Sequence, residues 1–107
     1  MNREEQARCR RILRLLAKGV FDEAEARALA AKMKLMSHPA RIQILSALAR
    51  GDACVCVLSE LVGRSQPNVS QHLTKLKDCG IISDYHVGKF VYYKLNDSHV
   101  RKLLSDL

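Results

Sequence analysis

The chain has 107 residues, enough for one compact domain with a modest core, and Lys plus Arg outnumber Asp plus Glu by 18 to 11. The resulting formal charge of +7 favours a polyanionic partner such as nucleic acid. No apolar run approaches the length of a bilayer span, and the basic start MNREEQARCRRILRLLAKG is broken by Arg14 before it could serve as a secretory signal. A soluble, cytoplasmic protein without a membrane partner is therefore expected, in a compartment that keeps thiols reduced.

Residues 3 to 18 carry Cys9, Ile12, Leu13, Leu15 and Leu16 among five arginines and read as an arm or helix of residues 1–20, ahead of a domain over 21–107. Gly19 ends that segment. Asp22 with Glu25 three residues on forms a capping box for a helix in which Ala26, Leu29, Met33 and Met36 recur at helical spacing. Ser37 is expected to cap the next helix, Pro39 to Arg50, which should bury Ile42, Leu45, Leu48 and Ala49. A short helix from Cys54 to Val62 follows, with Val57, Leu58, Leu61 and Val62 facing a core. Gly63-Arg64-Ser65 makes a tight turn into a longer helix, Gln66 to Cys79, capped by Ser65 and ended by Gly80. The period then becomes alternating, IISDYHV, a Gly88-Lys89 turn and FVYYKL, which predicts a β-hairpin. Asn96 or Asp97 caps a last helix carrying Val100, Leu103, Leu104 and Leu107.

The helix from Gln66 decides the functional class. With Val69 as reference and roughly 100° per residue, Leu73 and Leu76 form its buried stripe, and Asn68, Gln71, Thr74 and Lys75 point away. That outward face can donate and accept hydrogen bonds toward base edges, while Arg64, Lys75 and Lys77 can pair with phosphate. A short helix, a three-residue turn, a second helix and a hairpin follow the order of a winged helix-turn-helix. The fold class predicted is thus mainly α with a β-hairpin wing, as a dimer whose interface is built by the terminal helices.

The stretch LSELVGRSQPNVSQHLTKLKDCGIISDYHVGKFVYYKL closely resembles the DNA-binding half of the ArsR/SmtB family of metal-responsive repressors, and MSHPARIQIL is similar to that family's helix with a Pro-x-Arg before an apolar run. The resemblance covers about residues 30 to 100. It implies that Ser65, Gln66, Asn68, Ser70, Gln71 and His72 contact DNA, with Lys89 at the wing, on a double-stranded operator holding an inverted repeat. His72 lies near the edge of the buried stripe, so packing or phosphate contact is an alternative for it. The wing has Asp84 and His86 where the family's is rich in arginine.

Cys54 and Cys56 stand one residue apart in DACVCVLSELV. On a regular helix they would point roughly 200° apart and could not share an ion, so a shared ion requires an extended or unwound backbone at this helix start. Thiolates prefer soft or borderline ions. In the resembled family a Cys-Val-Cys at this place is the ligand pair of arsenic, antimony, cadmium and lead sensors, which implies arsenic(III) or antimony(III) as inducer, with cadmium, lead or zinc as further candidates and no organic cofactor. Cys9 is the candidate third ligand, and Ser59 stands where some arsenic sensors carry another thiol. Small buried apolar residues are the plain alternative for Cys54 and Cys56, and core packing is the expected role of Cys79. Asp97 and His99 match half of the family's last-helix metal site, but capping is the expected role of Asp97. An enzyme is not expected, since there is no CxxC with a βαβ context and no nucleophile triad. A thiol-based redox-sensing repressor and a ligand-independent DNA-binding regulator remain as alternatives of the same fold.

Overall fold

The computed structural model describes all residues, Met1–Leu107. The chain forms six helices and three strands: α1 (Arg3–Ala17), α2 (Glu23–Met36), α3 (Pro39–Leu48), β1 (Ala53–Cys54), α4 (Val55–Val62), α5 (Gln66–Asp78), β2 (Ile82–Val87), β3 (Phe90–Leu95) and α6 (Ser98–Asp106). No helix is long and apolar enough to cross a membrane. Two compact units are present, Met1–Ala31 and Lys32–Leu107.

In the first unit, Asn2 caps α1 by accepting from the Glu5 N–H at 2.9 Å. None of the side chains of α1 is buried. The predicted capping box of α2 is present in both directions: Glu25 N–H donates to Asp22 Oδ1 at 2.8 Å, and Asp22 N–H donates to Glu25 Oε1 at 3.2 Å.

The second unit holds the core: Met36, Ile44, Leu45, Leu48, Leu58, Val69, Leu73, Leu76, Ile81, Ile82, Leu95 and Val100. Each fully buried Leu or Ile there stabilises the fold by roughly 1.5–3 kcal/mol relative to exposure, so the α3–α4–α5 cluster is held chiefly by packing. Gly63 ends α4 with φ 67 and ψ 34, and its N–H donates to Ser59 O. This left-handed conformation turns the chain sharply into α5 at no steric cost to glycine. Ser65 caps α5 as predicted, its Oγ accepting from Asn68 N–H at 3.3 Å.

Several expected details differ. His38, rather than Ser37, caps α3: its backbone is extended and its Nδ1 accepts from Ala40 N–H at 3.2 Å. Ile42, Val57 and Leu61 are exposed because they fall on the outer sides of α3 and α4 once Ile44, Leu48 and Leu58 point inward. Cys79 is exposed rather than packed; it caps the end of α5, and its thiol donates back to Leu76 O at 3.2 Å. The short helix starts at Val55, and Ala53 and Cys54 are instead a strand. That strand joins the hairpin as the edge of an antiparallel sheet in the order β1-β3-β2, pairing Ala53 with Tyr93 and Cys54 with Tyr92. The hairpin register sets Tyr85 opposite Tyr92 and Val87 opposite Phe90.

Candidate functional site

The extended backbone that the cysteine pair requires is supplied by β1. Cys54 is both the last residue of the strand and the residue preceding α4, with φ −85 and ψ 167. Val55 then begins the helix, so the step from Cys54 to Cys56 combines one extended residue with the first helical turn. The sulfurs converge: Cys54 Sγ and Cys56 Sγ are 3.0 Å apart. Cys54 is buried, 7% exposed, and Cys56 is open to solvent.

The two thiols share a proton unequally. The hydrogen bond from Cys56, helped by the Val57 backbone N–H, holds Cys54 below the ordinary thiol range. The same bond to Cys54, with burial adding to it, pushes Cys56 up. Cys54 is therefore the thiol of the pair that ionises first, placed at a helix start whose free N–H groups favour negative charge. No group of three or more His, Cys, Asp or Glu side chains is gathered anywhere in the chain. As a donor set the pair suits a soft ion bound through two thiolates, which then takes any third donor from outside this cluster.

A strand pairing, a ring contact and one hydrogen bond connect the segment carrying the thiols with the wing. Cys54 pairs with Tyr92 across the ladder; the Tyr92 and Tyr85 rings lie 5.8 Å apart; and Tyr85 Oη donates to Asp52 Oδ2 at 2.7 Å, two residues before Cys54. Only the thiols themselves were legible as a site. A two-residue strand is too short to show alternation, and an exposed Asp-Tyr contact 33 residues apart in sequence leaves no local signal.

On α5, the residues predicted to face outward separate into two groups. Gln66, Gln71 and Lys75 are exposed, as are Arg64 and Ser65 in the turn and Lys89 at the hairpin tip, while Ser70 is half-buried. Asn68 is half-buried too, and its Oδ1 is enclosed without a hydrogen-bond partner. His72 turns inward, 9% exposed, and its ring packs 4.5 Å from that of His38. Arg41, from the Pro-x-Arg of α3, donates from Nε to His72 Nδ1 at 3.1 Å and from Nη1 to Leu35 O at 3.0 Å. Burial first, then the charges of His38, Arg41 and Arg64, lower the His72 pKa and keep the ring neutral. His72 is thus a packing and anchoring residue of α5, not one of its outward groups. Lys77 is likewise drawn from the outward set by its 2.7 Å ion pair with Asp84 of β2.

The expected half-site on the last helix is a cap. Asp97 Oδ1 accepts from His99 N–H and Val100 N–H at 3.0 and 3.1 Å, and Lys32 pairs with its other oxygen. His99 points into solvent, 3.8 Å from Asp97.

Residues 38–84, which span α3 through the start of β2, match the description of the bacterial regulatory protein, arsR family. The arsenical resistance operon repressor of Bacillus subtilis (strain 168) is 38% identical over 76 residues, covering 70% of this chain and 72% of that protein. The chain belongs to the arsR family. Membership places it among transcriptional regulators with a DNA-binding fold rather than among enzymes. A second relative, the cadmium resistance transcriptional regulatory protein CadC homolog of Staphylococcus aureus, is 38% identical over 72 residues, 66% of this chain and 60% of that one. The crystal structure of the AntR antimony-specific transcriptional repressor superposes with a TM-score of 0.73 at 31% identity, over 80% of this chain and 78% of that chain. The winged helix-turn-helix predicted from the sequence is thus the fold of this arsR-family chain, with α4 and α5 as the helix pair and β2–β3 as the wing. The chain spans 50% to 63% of the length of several of the curated relatives that it matches.

Proposed function

We propose that the protein is a cytoplasmic, homodimeric transcriptional repressor that leaves its operator when a soft ion binds Cys54 and Cys56. Arsenic(III) or antimony(III) is the proposed inducer, with cadmium and lead next. The observation that carries this reading is the 3.0 Å approach of the two sulfurs at the junction of β1 and α4. An arsenical repressor and an antimony-specific repressor among the similar proteins agree with the choice of ion.

DNA is met by the exposed groups around α5: Arg64, Ser65, Gln66, Ser70, Gln71 and Lys75, with Lys89 reaching from the wing. Asn68 joins them through its side-chain amide. α5 enters the major groove by its N-terminal end, and two such helices in a dimer read half-sites about 34–36 Å apart. The terminal helices supply the dimer interface, which is supported by the exposure of Ile12, Leu13, Leu15 and Leu16 on α1, of Leu103 on α6 and of Leu107 just beyond it.

Ion binding replaces the shared proton with metal–sulfur bonds and fixes the Cys54 backbone relative to Cys56. Cys54 pairs with β3 and precedes α4, and α4 packs on α5, so the same event acts on the wing and on the reading helix. The coupling is reciprocal, and DNA weakens ion binding by the same factor. Cys9 is the proposed third sulfur for a trigonal ion.

Titration of arsenite, antimonite, cadmium, lead and zinc into the reduced protein tests this, with thiolate charge-transfer absorbance and operator release as readouts. Cys54→Ser and Cys56→Ser are expected to abolish both, and Cys9→Ser to weaken binding. A response of Cys54→Ser and Cys56→Ser equal to the parent's would refute the sensing role.

The shared proton also favours a second reading, in which the pair is a redox switch. With hydrogen peroxide as oxidant, two thiols give one disulfide and two waters. Operator release by peroxide that dithiothreitol reverses, with no response to any of the ions, would support it instead.

A further inference from the structure

The charge of the chain is unevenly placed. Its first 20 residues hold Arg3, Arg8, Arg10, Arg11, Arg14 and Lys18 against Glu4 and Glu5, a net +4 out of the chain's +7. The remaining residues hold most of the cations but spend many of them within the fold. Arg101 donates to Ala49 O and Leu95 O, Arg41 to Leu35 O and His72, while Lys32 pairs with Asp97 and Lys77 with Asp84. The wing presents Lys89 and Lys94, with Asp84 drawn to Lys77. By contrast, no cation of α1 takes part in an ion pair: the four salt bridges of the chain all involve other residues.

Five of these six cations share one side of α1; Arg8 falls about 40° from Ile12, on the apolar side. Advancing roughly 100° per residue from Ile12, Arg3, Arg10, Arg11, Arg14 and Lys18 fall within an arc of about 100° on the side opposite Ile12, while Cys9, Leu13 and Leu16 flank Ile12. A 15-residue helix at about 1.5 Å per residue is ~22 Å long, so the basic side, with Arg10, Arg11, Arg14 and Lys18 clustered toward its C-terminal half and Arg3 at its start, can reach several phosphates of a duplex.

We propose that the basic side of α1 is a second DNA-contacting surface, binding the phosphate backbone without reading sequence, and that it provides much of the electrostatic affinity that the sparsely charged wing does not. This rests on the reading of the chain as a DNA-binding repressor and adds a surface to it. Charge complementarity selects the partner. An anionic membrane would meet the same stripe, but α1 contains no Trp, Tyr or Phe to seat at a lipid interface, and the chain it belongs to is read as a DNA-binding repressor.

The test uses the full-length, reduced, ion-free protein and its variant Arg3→Gln/Arg10→Gln/Arg11→Gln/Arg14→Gln, with far-ultraviolet circular dichroism to establish that helix content is kept. Affinity is measured on operator and scrambled duplexes between about 50 and 200 mM salt. Each phosphate contact contributes about 0.9 to the slope of log K against log salt. Loss of four contacts flattens that slope by about 3.6 per arm, so over this fourfold salt range the variant loses roughly 150-fold less affinity than the parent for each arm on DNA, and on the order of 10⁴-fold less for a dimer with both arms engaged. Both duplexes are weakened by the same factor, so the specificity ratio is kept. The matching Arg→Lys quadruple variant is expected to retain the parent's slope. An unchanged slope in the Gln variant overturns the proposal, as does co-sedimentation of the parent with phosphatidylglycerol vesicles alongside an unchanged slope. If the parent shows no preference for operator over scrambled duplex, the repressor reading fails; the slope comparison on scrambled duplex still decides the role of α1.

Discussion

Cys54 stands directly opposite Tyr92 in the β1–β3 ladder, so the buried thiol belongs to the same sheet as the wing. Tyr92 faces Tyr85 in the next ladder, and Tyr85 returns to Asp52 beside the thiols. A displacement of Cys54 on binding an ion therefore has two strands and one side-chain hydrogen bond through which to reach the hairpin. Tyr85→Phe removes that bond and leaves the ring stack. Operator affinity of the ion-free protein is expected to stay close to the parent's, while the weakening caused by saturating ion shrinks toward the low end of the roughly 5- to 150-fold range usual for such coupling. Operator titrations by fluorescence anisotropy, with and without antimonite, check both values.

The unequal sharing of a proton between Cys54 and Cys56 predicts unequal reactivity. The hydrogen bond from Cys56 stabilises the Cys54 thiolate, so Cys54 is deprotonated at a lower pH than an ordinary thiol and Cys56 at a higher one. Alkylation of the folded protein by iodoacetamide, resolved by peptide mass spectrometry across pH, is expected to rise at lower pH for Cys54 than for Cys56. In Cys56→Ala the donor is gone, and the Cys54 profile moves up toward the usual value. An unmoved profile in that variant would show that the thiol–thiol bond is not the cause.

The helices were legible because their boundaries are chemically marked. Asp22 and Glu25 form the capping box that their spacing predicts, and Ser65 with Gly63 fixes the turn into α5. Leu73 and Leu76 lie inward as the helical period requires. The errors came where tertiary contacts decide. Val57 and Leu61 are as apolar as Leu58, yet only Leu58 faces the core, since α4 has a single side against α3 and α5. The convergence of Cys54 and Cys56 could be stated from sequence only as a condition on the backbone; the partner strand that imposes it lies about 40 residues downstream, and neither residue type nor local period encodes that pairing.

His72 illustrates a residue whose neighbours, rather than its helix position, determine its role. Burial and the nearby charges of His38, Arg41 and Arg64 depress its pKa. In the unfolded chain the imidazole titrates near 6.5. Above that pH both states are neutral and the Arg41–His72 contact is fully present. As pH falls below it, the unfolded state binds a proton that the folded state resists, so stability drops until the depressed folded value is reached. Urea unfolding at pH about 7.5 and 5.5 is expected to show this loss in the parent. His72→Gln, which retains an acceptor for Arg41, should lose less stability between the same two pH values; an equal loss would assign it to other histidines.

Asp97 tests the end of the domain in the same way but in a lower pH window. Its carboxylate accepts from the first N–H groups of α6 and pairs with Lys32, and the Lys32 ammonium foremost, then the Val100 N–H, holds its pKa below the usual carboxylate range. The folded state therefore keeps the charge to lower pH than the unfolded chain does. Its contribution is complete above the ordinary value of about 3.9 and is lost as pH falls through the depressed one. Asp97→Ala removes the cap while leaving Lys32, which is partly exposed and can be hydrated, so the cost at neutral pH is expected to be about 1–2 kcal/mol. Asp97→Asn retains a capping oxygen and should recover much of that stability while losing the acid dependence. Urea unfolding of the three proteins at pH about 7 and 3.5 separates the contributions: the parent approaches the Asn variant at the lower pH if the charge is what acid removes, and keeps its full advantage if the assignment is wrong.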